Sequence, residues 1–319
     1  MQSIQHQRRL TCLLIGNYGV GNIGDEALRE YFVSTFKEAD WTVLGIDTPR
    51  LPFGFRSFFT GWFRTIGEMG RSDAVVFGGG SLFTDSESVF ACVLWWWHGL
   101  VARVLRRPFI LACQGVGPFR TLAGRVLARS TFRAATFISV RDEESLKRIA
   151  TWKLRCDPVL TFDPAFSFFA SKKGITEKRN VLAIIPRQNS DDQFFIEVSS
   201  AVAKPFDEIR VLLMQPDERE HAIAKRIATM TPKALIVPIL SLDQLLSEVS
   251  GAMEVVSQRY HGALAALALG VPVTIVPQMP GDKLDELRLL LRDPRRLSEL
   301  TVRLRRGEEA MKKALGAVS

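Results

Sequence analysis

Arg259 and His261 stand together in VVSQRYHGALAALALGVP (255–272), between a β-branched apolar run and a long apolar stretch. His261 is one of only four histidines. A neighbouring guanidinium favours a neutral imidazole, whereas a bound phosphate favours the protonated ring that can donate a proton. Arg141 lies in SVRDEES (139–145), where a strand gives way to a helix that Asp142 or Ser145 can cap. A cation at a helix start opposes the dipole, so its placement makes sense if it grips a phosphate or carboxylate bidentately. Lys283 is a third cationic candidate, with an exposed lysine at a helix start as its alternative. Carboxylates come from GNYGVGNIGDEA (16–27), where Asn22, Asp25 and Glu26 crowd a helix start. They complement the macrodipole there, or they accept protons from sugar hydroxyls.

The same segment holds Gly19, Gly21 and Gly24 in GxGxxG spacing, with Asp47 at the end of the next strand. That is the pattern of a dinucleotide site, and a nicotinamide-dependent oxidoreductase is one alternative. The two acids oppose it, because they add negative charge where a pyrophosphate would dock. FGGGSLFTD (77–85) and CQGVGP (113–118) are two further glycine loops. Each is either a tight turn or a place where backbone amides approach a ligand closely.

Short apolar runs rich in β-branched residues must position these groups: 10–16, 41–47, 73–78, 108–114 and 136–140, then 181–186, 208–214, 234–238, 253–257 and 272–276. Helical spacing fills the gaps, as in 25–38 and 121–134, so strands and helices alternate and a parallel sheet wrapped by helices follows. The polar stretch SKKGITEKRN (171–180) divides the series. The expectation is two Rossmann-like, doubly wound α/β domains, 1–172 and 173–319, facing a cleft lined by strand carboxyl ends. Residues 293–316 form an amphipathic helix through Leu297, Leu300 and Leu304 that packs across the domain interface.

Composition sets outer bounds. The chain has 319 residues, 47% of them hydrophobic, and 42 Lys+Arg against 34 Asp+Glu, a net charge of +8. Disorder is excluded, and the length suits two cored domains. The charge is not in blocks and no nucleic-acid motif appears, so no nucleic-acid partner is expected. Cys12, Cys92, Cys113 and Cys156 lie far apart without a CxxC pair, as buried thiols of a reducing compartment would. The segment after MQSIQHQRR is too short for a signal-peptide core, and Val89 to Leu105 is interrupted by His98 and Arg103. A cytoplasmic protein without a membrane span is expected. Residues 50–67 and 88–140 contain no Asp or Glu, and combine arginines with Phe53, Phe55, Phe58, Phe59, Trp62, Phe63, Trp95, Trp96 and Trp97. Such segments suit an anionic bilayer surface, a buried helix with a basic edge, or the interface of a homo-oligomer.

GNYGVGNIGDEA, GGGSLFTD, CQGVGP, SVRDEES and SQRYH followed by GVP, in this order, resemble the polysaccharide pyruvyl transferase family over roughly residues 11–290. The resemblance implies a fold like that of the two-Rossmann-domain (GT-B) glycosyltransferases. It implies transfer of the enolpyruvyl unit of phosphoenolpyruvate to two hydroxyls of one sugar, nearest to members acting on N-acetylmannosamine of lipid-linked cell-wall polymers. By matching motif, Arg141, Arg259 and His261 fall on family positions for donor binding and catalysis. Lys283 lies within PQMPGDKL, where the family often has Tyr-Asp-Pro-Lys; the tyrosine is missing and the segment is about two residues longer. Phosphoenolpyruvate, with its carboxylate and phosphate, is then a co-substrate gripped by Arg141, Arg259 and Lys283, with His261 as general acid and Asp25 or Glu26 as base. Gly21, Asn22, Asp25, Gly79, Gly80, Gln114 and Gly115 fall on the acceptor side. No cofactor and no metal are expected, since fixed cations supply the charge. A nucleotide-sugar glycosyltransferase and a non-catalytic sugar-binding protein are the remaining alternatives.

Overall fold

A computed structural model describes residues 9–19, 22–44, 55–86, 88–174, 177–231, 233–279 and 283–318. Asp47, Gly21, Phe53 and residues 280–282 lie outside them. The chain divides into two compact units, one formed by 1–20, 28–164 and 302–319, the other by 21–27 and 165–301. The second thus recruits Gly21–Ala27 from the glycine-rich segment, which sequence spacing alone assigns to the first.

The first unit is a six-stranded parallel sheet in the order β2-β1-β3-β4-β5-β6. Its strands are β1 (Leu10–Ile15), β2 (Ala39–Val43), β3 (Ala74–Phe83), β4 (Phe109–Val116), β5 (Phe137–Val140) and β6 (Val159–Leu160). They alternate with α1 (Ile23–Thr35), α2 (Phe55–Arg71), α3 (Val89–Val104), α4 (Leu122–Ala134) and α5 (Glu143–Ile149). β4 is buried along its whole length, as a central strand covered on both faces requires. Its core joins Val75, Phe77, Phe83, Phe109, Phe132, Ile138 and Trp152.

The second unit is a five-stranded parallel sheet in the order β11-β10-β7-β8-β9. Its elements are α6 (Ala165–Ala170), β7 (Val181–Ile185), α7 (Asp192–Val202), β8 (Glu208–Leu213), α8 (Glu218–Met230), β9 (Ala234–Pro238), α9 (Leu242–Gly251), β10 (Glu254–Ser257), α10 (Tyr260–Leu269), β11 (Val273–Ile275) and α11 (Lys283–Arg292). Pro238, which cannot donate to a ladder, ends the edge strand β9. A last helix, α12 (Pro294–Gly316), buries Leu300, Leu304, Met311 and Leu315. In the first unit its second half meets α1, where Tyr31 donates to Glu308 at 3.1 Å.

Two expectations need correction. The triple glycine does not follow the third strand but lies inside it, because Gly79 and Gly80 adopt left-handed φ of 75° and 79° and carry β3 on to Phe83 across an irregular register. CQGV likewise belongs to β4, and Cys113 there takes a φ of 52° beside a second shift. Isolated bulges bend a strand without ending it. Trp95 is a core residue, and Trp97 stacks on Trp62 with ring centroids 4.3 Å apart, so these rings are packed within the unit.

Cys12, Cys92 and Cys113 are buried and Cys156 half-buried, all as free thiols. Burial pushes Cys12 and Cys113 up to about 12 and Cys92 to about 11, so none is a nucleophile near neutral pH. No helix among the described residues is long and apolar enough to cross a membrane.

His98, buried in α3 with Nδ1 2.7 Å from the Leu94 carbonyl, has its pKa driven by desolvation down to about 4 from 6.5. Between these values the unfolded chain takes up a proton that the folded one refuses, so stability falls as pH drops through this window. The full effect is about 3 kcal/mol. All six tryptophans lie in the first unit, so tryptophan fluorescence follows its unfolding alone. In denaturant titrations between pH 7 and 4, His98→Leu is expected to lose this part of the acid sensitivity.

Candidate functional site

In the first unit, Arg141 follows β5 and is only 6% exposed. Its Nη1 donates to Asp163 Oδ2 at 3.0 Å and its Nη2 to Ser81 Oγ at 2.7 Å. Gly115 makes this possible, because a Cβ there would come within 2.9 Å of Arg141 Nε and 2.8 Å of Ser81 Oγ. The arginine expected as an open cation therefore carries a buried ion pair to a fully buried carboxylate. Asp142 caps α5 by accepting from the Ser145 amide at 2.6 Å, and Ser145 accepts from the Val116 amide. Gln114 is fully buried, and its side-chain amide donates to the carbonyls of Phe77 and Ala112, bridging the bulged strands β3 and β4. Gly79 and Gly80 are buried in β3. Gly78 lies beneath Tyr18, whose hydroxyl donates to the Gly78 carbonyl at 2.6 Å.

In the second unit the strand order reverses between β7 and β10, and ligands of doubly wound sheets bind beyond the carboxyl ends at such a point. His261 lies there, in the first turn of α10. Ser88, Thr121, Asp142, Asp191, Asp217 and Ser241 cap α3, α4, α5, α7, α8 and α9 with side-chain oxygens. Arg259 occupies the same position in α10 and makes no side-chain cap bond. The cap residue of α10 is thus a cation where the other helices carry an oxygen acceptor, an arrangement suited to an anion at this helix start.

Arg259 is held from behind. Its Nε donates to Glu220 Oε1 at 3.0 Å, its Nη2 bonds the same oxygen, and both terminal nitrogens reach Gln215 Oε1. Glu220 is fully buried and also accepts from the Gln215 amide. Burial pushes its pKa up against the opposing pull of Arg259. Nearby on the same edge, Arg187 donates to Gln278 at 2.8 Å, and Gln278 donates to Asn189, tying the segments after β7 and β11. Sequence reasoning missed Glu220, Gln215, Arg187 and Gln278. An isolated acid on a predicted helix carries no signal of its partner, whereas Arg187 directly after a strand was a visible cation.

The first turn of α1 joins this unit. Gly24 packs so closely on His261 that a Cβ there would overlap the imidazole. Asn22 caps the turn, accepting from the Gly24 amide and donating to Asp25 Oδ2 at 2.8 Å. Asp25 and Glu26 are half-buried in the same turn. The structure therefore brings His261, Gly24 and the Asn22–Asp25 pair into one unit, with Arg259 two residues from the imidazole. Lys283 is exposed and begins α11. Among the described residues no group of three potential ligands is placed to hold a metal.

The Gly24 contact gives a sharp expectation. Alanine suits a helix better than glycine by about 1 kcal/mol, but the Cβ overlaps a packed ring at a cost of about 1–3 kcal/mol, so Gly24→Ala should lower the thermal midpoint only modestly. It must displace the imidazole, so a reaction that depends on His261 should slow by about a hundredfold. Turnover measured beside a melting curve checks both.

The two parallel α/β units define a GT-B-like fold. Solved structures with this fold include UDP-GlcNAc 2-epimerase from Neisseria meningitidis bound to UDP-GlcNAc, at 11% identity, TM-score 0.57, over 96% of this chain and 99% of that one. UDP-GlcNAc 2-epimerase from Methanocaldococcus jannaschii is similar at 14% identity, TM-score 0.54, over 90% and 92%. Anabaena HepE in complex with UDP-glucose is similar at 10% identity, TM-score 0.53, over 98% and 97%. No curated protein sequence matches. A family model described as polysaccharide pyruvyl transferase matches residues 22–278, and the chain belongs to that family.

Proposed function

We propose that this pyruvyl transferase takes its pyruvyl group from phosphoenolpyruvate and closes a ketal on two hydroxyls of one sugar in a cell-surface polysaccharide precursor, N-acetylmannosamine on a lipid carrier. The observation that carries the reading is the β10–α10 junction, where His261 and the first turn of α10 lie beside an arginine anchored by Glu220. A donor with a carboxylate and a phosphate needs fixed cations and amides, and this junction supplies both.

His261 delivers a proton to the donor methylene, which becomes the methyl group. C2 acquires oxocarbenium character, and the first sugar hydroxyl adds to it, losing its proton to Asp25 or Glu26. The second hydroxyl attacks C2 as the C2–O bond to phosphate breaks, and its proton leaves with inorganic phosphate. One phosphoenolpyruvate and one diol thus give one ketal and one phosphate. Arg259 and the α10 amides stabilise the departing phosphate, with Lys283 and Arg187 as further cations on this unit.

The test is turnover with a synthetic lipid-linked N-acetylmannosamine disaccharide and phosphoenolpyruvate in deuterated water. The reading expects release of inorganic phosphate in step with a product whose ketal methyl holds one deuterium. Phosphate release without a ketal, or turnover only with a nucleotide sugar, would overturn it.

A further inference from the structure

In the first unit the end of α3 departs from what its sequence should prefer. The helix closes on Leu105, Arg106 follows with a φ of 54°, and the Arg106 and Arg107 amides return to the carbonyls of Arg103 and Ala102. This closure favours glycine at the left-handed position, where a Cβ is disfavoured. An arginine held there against that preference points to a use for its side chain.

Arg103, Arg106 and Arg107 line one cavity of about 320 Å³, completed by Pro108, Phe109, Ala134 and Thr136, without a carboxylate. Arg107 is anchored by a bond to the Gly70 carbonyl, while Arg103 and Arg106 make no ion pair among the described residues. One cation at a helix end is explained by the dipole; three around one cavity are not. On the same helix Leu100 is 37% and Val104 72% exposed, one turn apart beside Arg103. From Ser88 to Val140 the chain has seven arginines and no acid. The cavity opens at the start of β4, the opposite edge of this sheet from the strand carboxyl ends.

We infer that the carboxyl end of α3 docks on an anionic phospholipid bilayer, with a lipid phosphate between the three arginines and Val104 and Leu100 entering the headgroup layer. Charge complementarity selects this occupant: arginines around an open, carboxylate-free depression, beside exposed aliphatic side chains, match an interface that is anionic outside and apolar within. Trp95 and Trp97, packed inside the unit, take no part.

Flotation of the full chain with vesicles tests this without reference to turnover. The protein is expected to bind vesicles of equal parts phosphatidylcholine and phosphatidylglycerol, to ignore phosphatidylcholine alone, and to be released by salt. Arg103→Ala and Arg106→Gly should each weaken binding about fivefold and together about thirtyfold. Arg106→Gly places the preferred residue at the left-handed position, so its melting temperature should hold or rise while vesicle binding falls. Its affinity for phosphoenolpyruvate should be unchanged, which separates failure here from failure of the donor reading. Equal binding to both vesicle types, undiminished binding by the double variant, or a preference for duplex DNA over the vesicles would overturn the inference.

Discussion

His261→Ala is expected to lower ketal formation by about a hundred- to ten-thousandfold, the range that a positioned general acid contributes. The loss should fall on kcat, with the KM for phosphoenolpyruvate changed far less, because the proposed donor site draws its charge from Arg259 and the α10 amides rather than from the imidazole. His261→Gln keeps a donor of similar reach but cannot deliver a proton, so it should be nearly as slow as alanine. Rescue by glutamine would mean that the imidazole only orients, and a protein that merely bound sugar would show no turnover to lose. Stopped assays of phosphate release separate these outcomes.

Arg259→Ala should act in the opposite column. Removing one partner of a desolvated charge pair costs about 2–5 kcal/mol, so the KM for phosphoenolpyruvate should rise by about thirtyfold or more. Part of that cost is structural, because Glu220 would be left buried with only the Gln215 amide and no opposing cation. Glu220→Gln distinguishes the contributions. It keeps an acceptor for the guanidinium but not the charge, and should raise KM by less than the arginine deletion while leaving kcat near wild type. A lysine at position 259 should not restore binding, since it cannot span Glu220, Gln215 and a ligand at once. If Arg259→Ala and wild type share one KM, the pair is only a strut within the unit.

Much of this architecture was legible in the chain. The alternation of β-branched runs with helical spacing located ten of the strands because parallel strands buried on both faces must read as short continuous apolar runs. The two-residue strand β6 escaped, being too short for any period to show. The glycine segments misled, since a glycine stretch reads as a stop while bulges let β3 and β4 run on through Gly79, Gly80 and Gly115. His261 and Arg259 were visible as polar residues between a strand and an apolar helix. Their surroundings were not: the Gly24 contact joins residues more than 200 positions apart, and Glu220 lies 39 positions from Arg259. Arg141 shows the converse. Its strand-end position suggested a ligand cation, yet Asp163, 22 positions on, takes its charge in a buried pair that no local pattern announces.

Calorimetric titration of the purified protein with phosphoenolpyruvate, run beside NADH and a panel of nucleotide sugars, tests the central claim most directly. Saturable binding of phosphoenolpyruvate, weakened by about thirtyfold or more in Arg259→Ala and retained in His261→Ala, is the predicted result. Binding of NADH or a nucleotide sugar with no heat from phosphoenolpyruvate would contradict the assignment of the β10–α10 junction as the donor site.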